Sequence, residues 1–315
     1  MERGQASGTG GSGVPVHEPV LPAQVLSYLG GDNPATLEGW IVDATLGAAG
    51  HASRLLAALP NVRLIGIDQD PHILAHAQRV LQPFERRVRV RRGRISQLAA
   101  ILDEENVTRV VGVLLDVGAS SLQLDSAARG FSFQHDGPLD MRMDPDRERT
   151  AADIVNRWDE SDLADLFFYE GGETRSRKVA HAIVAARRRA PFQRTLALAD
   201  LIERTLGSGG KTHAATRAFQ ALRRAVNEEG EELSAGLAAA EQWLVDGGRL
   251  VVISFHSGED GDVKRFLSQG ARDGRWIVLT KKPVTAERSE QLTNRRSRSA
   301  MLRAAQRERR AGNDA

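Results

Sequence analysis

Short apolar runs alternate with segments of helical periodicity over the first third of the chain. Residues 40–45, 63–68, 87–90 and 110–117 carry β-branched and apolar side chains in strand-length runs, while 50–59, 71–81 and 95–104 repeat apolar positions at helical spacing. Pro71 stands where a helix's first turn tolerates it. The run 110–117 is apolar almost throughout, as in a strand buried on both faces. Repeated strand-helix-strand units predict a parallel, doubly wound α/β sheet.

The alternation stops near Gly130. Segments 151–158, 161–169, 176–189, 196–206 and 215–227 read as helices, and strand patterning resumes only at 249–255 and 276–280, with a weaker third run at 299–304. A helical block of this size within a sheet predicts an inserted domain. The expected organisation is a flexible tail over residues 1–14, a sheet domain over 15–128 and 225–315, and a helical insertion over 129–224.

Composition narrows the function. The 315 residues are 41% hydrophobic and 27% charged, the balance of a globular protein, and contain no cysteine. That absence removes disulfides, thiolate metal sites and any cysteine nucleophile. No run approaches the ~20 apolar residues that span a bilayer, and the N-terminus lacks a signal peptide's apolar stretch, so the expectation is a cytoplasmic protein without a membrane partner. Net charge is +2, but 281–315 holds ten Lys/Arg against four Asp/Glu, 171–194 seven against one, and 85–94 six against one. Such patches suit phosphates, and equally suit solvated arginine-rich faces.

Ligand crevices of open parallel sheets lie at the carboxyl ends of the strands. After the first strand, Asp43-Ala44-Thr45-Leu46-Gly47-Ala48-Ala49-Gly50-His51 offers a tight turn into a helix N-terminus. The second strand ends at Asp68, 21 positions beyond Gly47, the spacing at which an acid accepts hydrogen bonds from ribose hydroxyls. Asp70, just before Pro71, fits a helix cap better. The turn is not G-x-G-x-x-G, which disfavours a diphosphate and favours a cofactor with adenosine alone. The fourth strand ends at Asp116, which suits either a bound amine or a polar turn. The fifth ends in Ser254-Phe255-His256-Ser257. His72 and His76 lack a third metal ligand nearby, and Asp140, Asp144 and Asp146 read as a solvated acidic loop more readily than a cation site, so no metal is expected.

These stretches, in order with His17-Glu18-Pro19-Val20-Leu21, Arg129-Gly130-Phe131-Ser132-Phe133, Gly137-Pro138-Leu139-Asp140-Met141-Arg142-Met143-Asp144, Phe219-Gln220-Ala221-Leu222-Arg223, Val226-Asn227 and Arg296-Ser297-Arg298-Ser299-Ala300, make the sequence resemble the MraW family of ribosomal RNA methyltransferases. The resemblance implies a class I methyltransferase (Rossmann-like) fold with a helical substrate-recognition insertion. It also implies S-adenosylmethionine as cofactor and the N4 amine of a cytidine in 16S ribosomal RNA of the small subunit as target. Cofactor contacts are carried onto Ala49, Gly50, His51, Asp68, Ile95, Asp116 and Gln123. Ala49 stands where the family has a glycine and Ile95 where it has an aromatic, so looser cofactor binding is expected. Gly258 and Gly261 replace helix-favouring residues, so the helix after the fifth strand is expected to start late.

The cytosine amine shares its lone pair with the ring and needs an acceptor to hold its N–H bonds. Candidates are Asp116, Ser254, His256 and, from the insertion, Asp140, with Phe131, Phe133 and Phe255 able to stack on an extruded base or to pack in a core. Two other classes use the same residues. A nicotinamide-dependent oxidoreductase would use Asp68 but wants the missing diphosphate loop, and a non-catalytic RNA-binding relative would keep only the basic patches.

Overall fold

The computed structural model describes residues 18–208 and 213–308, so the expected tail over 1–14, His17 and the last arginines of the C-terminal basic patch lie outside the described residues. The first half runs α1 (Pro22–Gly30), β1 (Gly39–Asp43), α2 (Gly50–Ala58), β2 (Val62–Asp68), α3 (Pro71–Leu81), β3 (Val88–Arg92), α4 (Leu98–Glu104), β4 (Val110–Asp116) and α5 (Ser121–Asp125). Five helices follow: α6 (Ala151–Arg157), α7 (Glu160–Tyr169), α8 (Ser176–Arg187), α9 (Thr195–Leu206) and α10 (Thr216–Asn227). The chain then returns to the sheet through α11 (Glu229–Trp243), β5 (Leu244–Ser254), α12 (Ser257–Arg272), β6 (Trp276–Val278), α13 (Arg288–Thr293) and β7 (Met301–Arg307).

All seven strands form one sheet in the order β3-β2-β1-β4-β5-β7-β6. The β3-β2-β1-β4-β5 part is parallel, and β7 enters antiparallel between β5 and β6, which gives a class I methyltransferase fold. Central strands β1, β2 and β4 are buried on both faces, which is why their sequences read as apolar runs. β3 alternates Val and Arg because it is an edge strand with one face open to solvent.

Two apolar layers cover the sheet. One includes Leu98, Leu102, Leu233, Leu237 and Trp243; the other includes Val25, Leu29, Leu55, Leu56 and Leu81. Helices α6 to α10 share a third core of their own, around Ile154, Leu163, Phe167, Ile183, Leu198 and Leu222. Among the described residues between β4 and β5 there is no strand, only an isolated bridge from Pro138 to Arg194. No described helix is long and apolar enough to cross a membrane.

The expected late start after β5 does not occur. α12 begins at Ser257 because the His256 ring caps it, its Nδ1 accepting from Gly258 N at 3.1 Å and Glu259 N at 3.3 Å. A Cβ on Gly258 would sit 3.1 Å from that ring, so this glycine makes room for the cap.

Candidate active site

Strand register sets the geometry of the site. Asp43 at the end of β1 pairs with Gly66 of β2 on one side and Leu114 of β4 on the other. Asp68 and Asp116 each lie two residues further along those neighbours, so both strands overshoot β1 by the same amount. With a side-chain period of two, the three carboxyls share one face. Between the overshooting ends, the chain turns at Thr45 to Ala49 into α2.

That turn is fastened from both sides. Leu46 N donates to Ile67 O at 2.8 Å, Gly47 N donates to Asp68 Oδ2 at 2.9 Å, and Asp116 N donates to Thr45 Oγ1 at 2.6 Å. Gly47 turns at φ +52°, in the left-handed region, where a Cβ would meet only Thr45 O, at 3.7 Å. Ala49 follows at φ +64°, and its methyl is fully buried in the core beneath α2. Ala49 therefore does not line the cleft, contrary to the expectation that it crowds a cofactor: a residue here is selected by backbone conformation.

A cleft of about 1010 Å³, part of it open to solvent, lies over this turn. Gly50, His51, Asp68, Ile95, Asp116 and Gln123 line it, with Asn227, Glu229, Glu232 and Arg296, which the sequence reading left without a role. Burial pushes Asp116 up to about 6, with Arg296 opposing and Glu259 adding. Burial likewise pushes Asp68 up to about 6, against the Asp70 and Gly47 amides that favour its charged form. Asp43 goes up to about 8 through burial, opposed by the Thr45 amide and reinforced by Asp116 and Asp68. His51 is pulled down to about 3 by burial and by Arg296 and Arg54. At neutral pH the ends of β2 and β4 thus hold mostly ionised carboxylates, Asp43 at the end of β1 keeps its proton, and the His51 imidazole is uncharged.

Several of these groups are hydrogen-bonding atoms with nothing in the protein to bond. Among the described residues, Asp43 Oδ2, Asp116 Oδ1 and His51 Nε2 are buried without a partner, and His51 Nε2 stands 3.8 Å from Asp116 Oδ2. Buried polar atoms are almost always satisfied, so such a cluster beside a cleft fits a polar, partly cationic ligand. Together with an acid at the end of β2 and an open glycine turn, the donor set fits an adenosine-bearing cofactor that carries an amine and a positive charge.

Elsewhere the same kinds of residue are occupied. Asp70 caps α3, accepting from His72 N at 3.0 Å, and holds Arg129 at 2.6 Å and the Gln123 amide at 3.0 Å. Gln123 also closes the N-terminus of α5, its Oε1 accepting from Ser120 N, so its amide is committed to the protein even as it lines the cleft. Ile95 is fixed against α11, where a Cβ on Gly236 would come within 2.2 Å of it.

Three of the proposed acceptors are not brought to the cleft. Ser254 is buried and its Oγ donates to Met301 O at 3.3 Å across β5 and β7. His256 is spent on the α12 cap, with Nε2 2.8 Å from Glu259 Oε1. Asp140 forms a two-point pair with Arg142 and accepts its backbone N–H as well. Ser254 satisfies an acceptor, and His256 Nδ1 and Asp140 satisfy donors, in their own neighbourhoods, and none of the three lines the cleft. Phe131 is core, and Phe133 packs edge-on against Phe219 at 4.8 Å. Phe255 is left partly open beneath the Arg296 guanidinium, 5.0 Å from its ring centre.

The basic patches divide in the same way. In 85–94, Arg89 and Arg91 pair with Glu105, Arg92 with Asp144 and Asp146, Arg94 with Glu228 and Glu232, and Arg87 bonds carbonyls at the end of α2. The acidic loop is thereby an arginine partner, and among the described residues no group of three or more His, Asp or Glu is placed to hold a metal. In 171–194, by contrast, Arg177, Lys178, Arg188 and Arg189 are exposed on or just beyond α8.

Comparison with known proteins agrees over nearly the whole chain. The profile of the MraW methylase family matches residues 15–308. Ribosomal RNA small subunit methyltransferase H of Methylobacterium sp. (strain 4-46) is 46% identical over 317 residues, covering 94% of this chain and 92% of that protein. The protein of that name from Bradyrhizobium diazoefficiens is 47% identical over 307 residues, covering 92% and 91%. A sheet of class I order, a cleft over its β1 turn and a match of this length and identity converge, and the chain belongs to the MraW methylase family.

Proposed function

We propose that this protein transfers the methyl group of S-adenosylmethionine to the N4 amine of a cytidine in 16S ribosomal RNA. The observation that carries the reading is the pair Asp68 and Asp116, which overshoot β1 equally and flank one open turn. When bound, the cofactor supplies an electrophilic methyl on a positively charged sulfur. The protein's part is to bind, align and accept. Asp68 would accept from the ribose hydroxyls, with its other bonds to Gly47 N and Asp70 N holding it in place. His51, uncharged, and Asp116 Oδ1 would receive the cofactor's amine end. Ile95 would lie against the adenine.

Asp116 would also be the acceptor for the incoming amine, since it lines the cleft with Oδ1 unbonded while Ser254, His256 and Asp140 do not line it. A carboxylate there holds the cytosine N–H bonds, lets the nitrogen turn pyramidal, and takes up the proton released. Helices α6 to α10 would serve as the substrate-recognition insertion, over 129–224, with the exposed cations of α8 meeting RNA phosphates. Phe255 and Arg296 at the cleft edge would stack on the extruded base.

Carbon 5 is excluded on chemical grounds. Methylating it ordinarily requires a thiolate to add to the ring first, and the chain has no cysteine. Calorimetric titration of S-adenosylmethionine, followed by nucleoside mass spectrometry of small-subunit RNA with and without the active protein, tests the reading. N4-methylcytidine should vanish without the protein. Methylation on carbon 5 or a ribose hydroxyl would overturn it, and absence of cofactor binding would return the chain to a non-catalytic RNA binder.

A further inference from the structure

α7 ends in two aromatic side chains that point into solvent. Phe168 is 48% exposed and Tyr169 74%, the most exposed aromatics among the described residues, and their rings meet edge to face at 5.1 Å. Burial of α7 requires neither, since Leu163, Leu166 and Phe167 already face the helical core. Toward its start α7 is acidic, with Glu160, Asp162 and Asp165 exposed, but its end lies beside the first turn of α8, where Arg177 and Lys178 are exposed. Arg217 of α10, 56% exposed, reaches the same corner through Glu173, 3.7 Å away.

This corner is joined to the cleft by a short chain of contacts. Glu170, next after Tyr169, holds Arg224 through its carbonyl at 3.0 Å and its carboxylate at 2.6 Å. Arg224's neighbour on α10, Arg223, makes a two-point pair at 2.7 Å with Glu229, which lines the cleft. Arg224 also stands 3.9 Å from the Cβ position of Gly258, at the carboxyl end of β5. The segment carrying the aromatic pair is thus linked to the cleft lining through Glu170, Arg224, Arg223 and Glu229.

We propose that Phe168 and Tyr169 form a stacking platform for unpaired RNA bases flanking the target cytidine, with Arg177, Lys178 and Arg217 on the adjoining phosphates. Solvent-exposed aromatics bordered by cations are how proteins hold single strands, because every base offers a π-face and every nucleotide a charge. A stretch of duplex would offer neither face, so the platform selects substrate in which the target's neighbours are unstacked. The inference rests on the ribosomal RNA reading above and extends it to the geometry of the substrate.

The test measures affinity for unmethylated small-subunit ribosomal RNA and for a short single-stranded oligoribonucleotide, across a salt series, with S-adenosylmethionine affinity read in parallel. Phe168→Ala with Tyr169→Ala should weaken both RNAs by about fivefold or more, leave the salt slope and the cofactor affinity unchanged, and be rescued by Phe168→Trp with Tyr169→Trp. Arg177→Gln with Lys178→Gln should instead flatten the salt slope. Unchanged RNA affinity in the double alanine variant overturns the proposal, as does a wild-type dimer that dissolves in that variant, which would assign the patch to a protein contact. Failure of the unsubstituted protein to bind any RNA would overturn the functional reading itself.

Discussion

The carboxyl ends of β1, β2 and β4 and the carboxyl end of β5 carry equally reactive-looking residues, yet only the first group faces the cleft with bonds to spare. Asp116 Oδ1, His51 Nε2 and Asp43 Oδ2 are buried and unbonded, whereas Ser254, Asp140 and the Nδ1 of His256 each serve a donor or acceptor a few residues or one strand away, and His256 Nε2, itself without a hydrogen bond, stands 2.8 Å from the Glu259 carboxylate. Aspartate and histidine occur in both groups. What separates them is whether local backbone groups consume the side chain's hydrogen bonds, a property of three-dimensional context.

The largest expected effect breaks or confirms that contrast directly. Asp116→Asn should lower the methyl-transfer rate by about 100-fold or more, because the amide cannot take up a proton, while the protein stays folded. His256→Ala should leave the rate within a few-fold but cost about 1 kcal/mol of stability through loss of the α12 cap, and His256→Asn should recover most of that. Single-turnover rates beside urea melts measure both. A large rate loss in His256→Ala with stability intact would move the acceptor to β5.

Next in size is Asp68. Asp68→Ala should weaken S-adenosylmethionine by ~1.5–3 kcal/mol, the worth of hydrogen bonds to a charged acceptor. Since the carboxyl titrates at about 6, ionised acceptors become scarce below that pH, and cofactor affinity should fall as pH drops from 7 to 5. In Asp68→Ala that fall should be shallower, leaving only the contribution of Asp116, which also titrates at about 6. Calorimetry at several pH values decides it; a pH-independent affinity in the unsubstituted protein would mean that neither carboxylate meets the cofactor.

Asp43 sharpens the comparison from the side of stability. Its folded pKa of about 8 lies above the ordinary 3.8, so the folded chain holds the proton more tightly than the unfolded chain does. The group's contribution to stability is therefore fully present at low pH and is lost as pH rises toward 8. Asp43→Asn keeps an acceptor for Thr45 N without that loss, so its advantage over the unsubstituted protein should grow between pH 5 and pH 8 by about 3–4 kcal/mol. Thermal melts that shift in parallel at both pH values would show that Asp43 is ionised throughout.

Much of the sheet was legible because buried parallel strands advertise themselves as apolar runs, Asp68 because it ends a strand 21 positions beyond Gly47, and Asp116 because it ends an apolar strand with glycine and small hydroxyl residues behind it. Other elements were hidden for physical reasons. α11 buries Gly236, Ala239 and Ala240 beside Leu233 and Leu237; the small residues carry little apolar signal, and Gly236 lets Ile95 approach. β7, Met301–Arg307, shows in the sequence only as the weak run 299–304 because it has no β-branched residue; it is a strand because β5 and β6 bracket it, and its buried Arg303 is held by a two-point pair with Asp260. Asn227, Glu229, Glu232 and Arg296 reach the cleft from α10, α11 and the loop before β7, and no local spacing links them to the β1 turn.

The smallest expected effect concerns Ala49, where sequence and structure disagree most plainly. A glycine at this position was expected to make room for the cofactor, but the methyl points into the core under α2, so Ala49→Gly should leave S-adenosylmethionine affinity unchanged. Its stability effect is a near cancellation. Relief of the left-handed conformation at φ +64° favours glycine by about 1–2 kcal/mol. Against it stand the lost burial of one methyl, about 0.8 kcal/mol, and the greater freedom of glycine in the unfolded chain, about 0.4–1 kcal/mol. The variant should thus melt within about 1 kcal/mol of the parent. Tighter cofactor binding in Ala49→Gly would show that the methyl crowds the cleft after all, and would place the turn, rather than the carboxylates on either side of it, in control of cofactor affinity.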